Sequence, residues 1–230
     1  MTSDTDEKLG LGEQAYRRIK EDIVWCRLAP GQELSETGLS EMYGFGKGPI
    51  RQALSRLTQD SFILPRARRG HVVVPVTLND VRDLFDWRLV IEPAAAELAC
   101  GKVDRERLIE LDARCAEGFV LGDIESEARF VKANNAFHME IARSAGNDRL
   151  TASMRQALDE MTRLMHLAHQ LRERKADQRR EHSELIDALV NNDPSTARRW
   201  TIEHLENVRA NVLEGIMRFS SLSVSNIVPT

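Results

Sequence analysis

Three glycines and a proline stand directly before an amphipathic pattern in the stretch YGFGKGPIRQALSRL, residues 43–57. This density of glycine predicts a tight turn, and Pro49 is tolerated where the next helix begins because first-turn amides lack intrahelical partners. Lys47, Arg51 and Ser55 lie four residues apart on one face of that helix, free to project outward. The apolar positions share another face, which must be buried: Ile50, Ala53, Leu54 and Leu57.

The segments around this turn and helix suggest a use for the outward face. A helical pattern covers 12–28, a short helix is expected near 36–43, and FILPRARRGHVVVPV contains two β-rich runs joined by a basic tip, which predicts a hairpin. This order is typical of a winged helix-turn-helix, whose second helix enters the major groove of DNA. The alternative is a solvated charged face. The predicted DNA-binding residues are Lys47, Arg51 and Ser55 on the helix and Arg66, Arg68 and Arg69 in the hairpin.

The charge distribution favours contact with a polyanion through this part of the chain alone. The formal net charge of −4 by itself argues weakly against a nucleic-acid partner. Residues 44–76, however, hold six cations and one anion, a balance of +5, whereas residues 77–230 hold 21 Lys and Arg and 26 Asp and Glu, a balance of −5. A basic region on an acidic protein suits local binding to DNA.

From Thr77 onward the pattern is helical up to about residue 219, with no strand signal. Thr77 and Asp80 resemble a capping box, with Asp in place of the usual Glu or Gln. Six helices are predicted, near 77–99, 104–121, 124–144, 148–173, 176–191 and 195–219. The predicted fold is mainly α: a winged helix-turn-helix of three helices and a β-hairpin over 1–76, an all-α six-helix antiparallel bundle over 77–219, and a tail over 220–230. Residues 1–10 are expected to be flexible.

Composition argues against several other classes of protein. No apolar run approaches the roughly 18 residues of a membrane span, and the start, MTSDTDEK, resembles neither a secretory signal nor an Arg-rich transit peptide. The cysteines are odd in number and lack CxxC spacing, which indicates free thiols in a reducing compartment: Cys26, Cys100 and Cys115. A cytoplasmic protein without a membrane partner is expected.

Three histidines and an asparagine in the helical half form a candidate metal site. Asn134 and His138 share a helix face, and His182 and His204 lie on two later helices. Bundle helices can bring such residues inward together, and imidazoles with one oxygen ligand suit zinc and other divalent ions. The alternative for each histidine is a buried, hydrogen-bonded side chain without a metal.

The amino-terminal half resembles the DNA-binding domain of the GntR family of bacterial transcription regulators. The resemblance lies in LAPGQELSETGLSEMYGFGKGPIRQALSRL and the basic wing, and PIRQALSRL stands where the family usually shows PVREALRRL. It implies that Lys47 and Arg51 contact bases or phosphates from the recognition helix and that Arg69 contacts DNA from the wing. Lys47 stands where an Arg is usual, and Lys lacks the planar fork that reads guanine bidentately. Thr37 replaces a frequent Arg, which removes one expected contact.

The helical half, from about residue 78 to 217, is similar to the FCD ligand-binding domain of FadR-type members of that family. The matching stretches are DVRDLFDWRLVIEPAAAELA, FHMEIARSAGN, EHSELIDALVNNDPSTARRW and EHL. Many members bind a divalent metal through one Asp and three His, and His138, His182 and His204 fall on the histidine positions. Asn134 falls on the Asp position. Its amide oxygen is a weaker ligand and leaves the site more positive by one unit, which favours an anionic effector in the coordination shell.

Arg88 and Glu92 share a face of the first helix of this half. One interpretation is an intrahelical ion pair, worth about 0.2–0.5 kcal/mol. The other, implied by the resemblance, has Arg88 pointing into the cavity toward the carboxylate of an effector. The residues alone do not separate the two.

The function expected from these patterns is a ligand-responsive transcription regulator, a repressor, and not an enzyme. A C2 homodimer would read the two halves of a near-palindromic double-stranded operator, and a small organic acid bound in the bundle would modulate that binding. One alternative is a metal-dependent hydrolase, although HExxH is absent and Glu181 and Glu203 precede their histidines and point about 100° away. The other is a DNA-binding protein whose bundle only dimerises.

Overall fold

In the computed structural model we describe residues 9–67, 70–120, 122–169 and 177–222, with their side chains except those of 167–169, 177–179 and 216–222. These residues are mainly helical, as predicted. They divide into two compact units, one that ends at Val76 and one that begins at Thr77.

The first unit combines three helices with a small antiparallel sheet. Its elements are α1 Leu11–Val24, β1 Glu33–Leu34, α2 Glu36–Tyr43, α3 Lys47–Gln59, β2 Ile63–Arg66 and β3 Gly70–Val73. The strand order is β1-β3-β2. β2 and β3 form the predicted hairpin, and β1 pairs with β3, which is therefore the central strand. The apolar face predicted for α3 is buried and packs with α1 in the core of this unit.

Local sequence signals explain the turn between α2 and α3. The Ser35 hydroxyl caps α2 by accepting a hydrogen bond from the Gly38 amide at 3.0 Å. The helix ends at Gly44, whose φ of 72° lies in the left-handed region that favours glycine. α3 begins at Lys47, as predicted, so the chain changes direction within a few residues and the two helices form the helix-turn-helix.

The second unit is all-helical within the described residues. Its elements are α4 Leu78–Ala99, α5 Arg105–Ala116, α6 Ile124–Ser144, α7 Asp148–His169, α8 Asp177–Val190 and α9 Pro194–Leu222. The predicted capping box is present at the start of α4: Thr77 Oγ1 accepts from the Asp80 amide at 3.2 Å, and Asp80 Oδ2 accepts from the Thr77 amide at 2.7 Å. α4 packs against α6, α8 and α9, which brings distant parts of the chain to one interior.

Some boundaries differ from the sequence predictions. α1 ends at Val24 rather than at residue 28, and α9 continues to Leu222 rather than ending at residue 219. α5 ends at Ala116 rather than at residue 121, because Gly118 adopts a φ of 67° that a helix cannot continue. β1 was not predicted, since two residues carry no measurable alternation.

Parts of the predictions fall outside the described residues. They are most of the amino-terminal segment predicted to be flexible, residues 68–69 of the predicted wing, residues 170–176 and residues 223–230. No helix in the described part of the chain combines the length and the apolarity required to cross a membrane.

Candidate functional site

The outer face of α3 is exposed to solvent. Lys47, Arg51 and Ser55 all lie on it, away from the buried apolar face. Arg51 Nε donates to Glu36 Oε2 at 2.8 Å, yet the Arg51 side chain remains 66% exposed. Exposed ion pairs are worth at most about 1 kcal/mol. Arg51 can therefore exchange Glu36 for another acceptor at small cost.

The other cations of residues 44–76 differ in what they contact. Arg56 lies on α3, but its guanidinium stacks 3.8 Å from the ring centre of Tyr16 and so joins α3 to α1. Arg66, at the end of β2, is exposed. Arg68 and Arg69, predicted to contact DNA from the wing, lie outside the described residues. Of the predicted DNA-binding residues, the structure thus describes those on the α3 face and the first arginine of the hairpin.

The second candidate site is a buried cluster of three histidines. His138 on α6, His182 on α8 and His204 on α9 are each at most 3% exposed. One candidate ligand atom from each lies within 4.8 Å of the others. Asn134, the predicted oxygen ligand, is also buried and lies one helical turn before His138. The fold therefore brings together the three histidines that the sequence analysis singled out.

Each histidine of this cluster contacts a carboxylate through its Nδ1 atom. The pairs are His138 with Glu92 Oε2 at 3.2 Å, His182 with Asp112 Oδ1 at 2.8 Å, and His204 with Glu181 Oε2 at 2.8 Å. None of these three contacts was predicted from the sequence. Glu181 directly precedes His182 in the sequence, but it forms a hydrogen bond with His204 on the next helix. Asp112 lies on α5, which carries none of the predicted ligands, so no signal pointed to it.

Arg88 and Glu92 form a buried ion pair on α4. Their side chains are 2% and 1% exposed, and Arg88 Nε donates to Glu92 Oε1. Burial by itself raises the pKa of Glu92, but the charges of Arg88 and His138 outweigh it and lower the pKa to about 2. Arg88 Nη1 is buried and has no hydrogen-bond partner among the described residues. The guanidinium therefore makes the intrahelical pair and keeps one donor for a further acceptor.

His204 is held in the neutral state. Burial lowers its pKa to about 4, aided by the neighbouring His182 and His138, although the hydrogen bond to Glu181 acts in the opposite direction. Neutral imidazole is the form that binds a metal. Burial in the cluster thus disfavours a second proton on the His204 ring.

The donor set fits a divalent metal ion. Three imidazoles meet in one buried place, and zinc accepts three histidines while keeping a further position open. His138 Nε2 is buried without a hydrogen-bond partner in the described part of the chain, and a bound ion would satisfy it. The residues that could hold the ion are His138, His182 and His204, with the Asn134 oxygen as a further donor.

Comparison with known proteins shows what the chain is similar to. The family model described as FCD domain matches residues 83–207, and the model described as bacterial regulatory proteins, gntR family, matches residues 11–73. The HTH-type transcriptional repressor RspR of Escherichia coli (strain K12) is 23% identical over 202 residues, 88% of this chain and 89% of RspR. The HTH-type transcriptional repressor GlaR of the same strain is 26% identical over 205 residues, 83% of this chain and 90% of GlaR.

Among solved structures, E. coli McbR/YncC has the same fold. Its TM-score is 0.76, with 21% sequence identity over 90% of this chain and 99% of that chain. The similar fold extends over 90% of this chain, and the two family models match one unit each.

Proposed function

Because the chain belongs to the gntR family of bacterial regulatory proteins with an FCD domain, and is thus a DNA-binding transcriptional regulator, we propose that it is a ligand-responsive repressor. The observation that carries the ligand-responsive part is the convergence of His138, His182 and His204 in a buried place beside Arg88. The names of RspR and GlaR as repressors, each similar over more than four-fifths of this chain, support the sign of regulation.

The DNA-binding part of the proposal rests on the exposed face of α3. Arg51 presents a guanidinium that can bond guanine bidentately in the major groove once it releases Glu36, and Lys47 can meet a base or a phosphate. Two copies in a C2 homodimer would place one α3 in each half of a near-palindromic operator. The arginines of the wing would add phosphate contacts: Arg66, Arg68 and Arg69.

The ligand-binding part rests on the histidine cluster and its neighbour Arg88. A divalent ion, with zinc as the expected one, would be held by His138, His182 and His204, and Asn134 would offer a fourth donor. When bound, such an ion supplies positive charge and an open coordination position for an anionic oxygen. The buried Nη1 of Arg88 would donate to a carboxylate. The proposed effector class is therefore a small organic acid.

Metal binding is tested by zinc content and thermal unfolding. We expect the wild-type protein to retain zinc after dialysis and to unfold at lower temperature after chelation, since a ligand at 100 times its Kd stabilises by about 2.7 kcal/mol. His182→Ala should retain no zinc, and its unfolding temperature should not change on chelation. His71→Ala, in the first unit, should behave like the wild type. Equal zinc content in wild type and His182→Ala would contradict the site and favour a bundle that only dimerises.

The DNA interface is tested by operator affinity and base preference. Arg51→Ala should weaken operator binding by about 1–3 kcal/mol and relax the preference at one base pair per half-site. Arg66→Ala should weaken binding to all sequences alike and reduce the salt slope by about one. Arg82→Ala, exposed in the second unit, is the control. Unchanged affinity and preference in Arg51→Ala would remove the α3 face from the interface.

The metal-dependent hydrolase that the sequence left open has lost its support. The similar curated proteins are transcriptional regulators and not enzymes. Glu181, the carboxylate next to His182 in the sequence, accepts hydrogen bonds from His204 at 2.8 Å and from Asn207 at 2.6 Å, one on each of its oxygens. Its carboxylate orients other side chains and is not placed to activate water.

A further inference from the structure

We propose that Glu92, Asp112 and Glu181 are positioning residues of the histidine cluster. Asp112 and Glu181 accept the Nδ1 proton of His182 and of His204, and Glu92 faces Nδ1 of His138, so that Nε2 is the atom presented to a bound divalent cation. The inference rests on the proposed function of the cluster as a metal site and deepens it. The three carboxylates come from α4, α5 and α8, so three helices orient rings carried by α6, α8 and α9.

The hydrogen bonds of a neutral imidazole indicate which ring nitrogen carries the proton and which carries the lone pair. One nitrogen carries the proton and donates, and the other holds the lone pair that can bind a metal. A carboxylate only accepts, so the nitrogen that lies 2.8 Å from it, Nδ1 in both His182 and His204, is the protonated one. In His138, Nδ1 lies 3.2 Å from Glu92. In His182 and His204 the lone pair is therefore on Nε2, the arrangement that carboxylate–histidine–metal sites use.

The same carboxylates supply negative charge that Asn134 does not. Three carboxylates and the guanidinium of Arg88 lie around the three imidazoles, a formal balance of −2 before the histidines are counted. A divalent cation compensates that charge in a buried environment, where uncompensated charge is costly. With an amide at position 134, these carboxylates supply negative charge around the three imidazoles.

Asp112 is the carboxylate best suited to a test. Replacing Glu92 would leave Arg88 without its buried partner, and replacing Glu181 would remove a second hydrogen bond, to α9. The Asp112 side chain is 21% exposed, and its described contact is with His182. Water can therefore take its place without unfolding the unit.

The experiment measures zinc affinity by competition with a chromophoric chelator and the tautomer of His182 by nitrogen-15 NMR of the metal-free protein. Asp112→Ala should bind zinc about 10 to 100 times more weakly than wild type and lose the preference for a proton on Nδ1. Asp112→Asn keeps an oxygen acceptor but not the charge, and its zinc affinity should lie between those of the wild type and Asp112→Ala. Glu106→Ala, an exposed carboxylate on the same helix, should match wild type.

Two results would overturn the inference: zinc affinity in Asp112→Ala equal to that of wild type, or a proton on Nε2 of His182 in the metal-free wild type. A wild-type protein that binds no zinc refutes the proposed metal site instead, and the NMR measurement then decides separately whether Asp112 determines the tautomer. If Asp112→Ala does not fold, the same comparisons are made with Asp112→Asn.

Discussion

His204 acquires its protonation state from its surroundings in the folded bundle. Burial and two neighbouring imidazoles disfavour the cation, and the hydrogen bond that His204 donates to Glu181 does not compensate, so the pKa of His204 is about 4. In the unfolded chain none of these neighbours is present, and a histidine titrates near about 6.5. The difference between the two states makes the stability of the metal-free protein depend on pH.

We expect the metal-free protein to lose stability as the pH falls from about 6.5 to about 4. Across that interval the unfolded state takes up a proton at residue 204 and the folded state does not, so up to about 3 kcal/mol is lost. Urea unfolding at about pH 7, 5.5 and 4.5 measures the loss. His204→Gln should show a smaller one, and an equal loss in both proteins would assign the effect to other groups.

At the scale of the element, the wing depends on a close approach that requires glycine. Gly70 begins β3 with a φ of 83°, and a Cβ built on it would lie 2.4 Å from the Leu34 carbonyl oxygen. β1 and β3 pair beside this point, with Leu34 opposite His71. Gly31 has a similar φ of 81°, but a Cβ there would meet open space. Substitutions at the two glycines therefore distinguish the cost of backbone strain, which both share, from the cost of the steric clash, which only Gly70 has.

Gly70→Ala should destabilise the first unit more than Gly31→Ala does. Both place alanine in the left-handed region at a cost of about 1–2 kcal/mol, and Gly70→Ala adds the collision with the backbone of β1. The midpoint of urea unfolding should fall further for Gly70→Ala, and operator binding should weaken with it because the hairpin carries Arg66. Equal midpoints for the two variants would show that β1 moves aside freely.

At the scale of the whole molecule, regulation requires coupling between two compact units that meet in sequence at Val76 and Thr77. One unit carries the exposed α3 face and the other the histidine cluster. An effector shifts DNA binding only if it binds the DNA-bound and the free protein with different affinities. Thermodynamic linkage makes this coupling reciprocal.

A small carboxylic acid that weakens operator binding should itself bind more weakly, by the same factor, when the operator is present. Coupling of this kind typically amounts to about 5–150-fold. Candidate acids can be selected by thermal shift and titrated by calorimetry with and without operator duplex, with a scrambled duplex as the control. Identical effector affinity with and without the operator would rule the coupling out.

Much of the fold could be predicted because its signals are local. The glycine turn, the apolar spacing of α3 and the capping box at Thr77 each involve residues within a turn or two of one another, and the structure contains all three. β1 escaped prediction for the opposite reason. Its two residues become a strand only by pairing with Val72 and His71, which lie far along the chain.

The amino-acid sequence by itself determined which helices form, which face of α3 is buried and which histidines are candidates to meet. Only the tertiary structure decided which carboxylate each histidine contacts, as with Asp112 and His182, which are 70 residues apart. Periodicity orients a side chain around its own helix but does not determine how neighbouring helices rotate and slide against each other. That packing sets distances of a few ångströms, on which hydrogen bonds and metal binding depend.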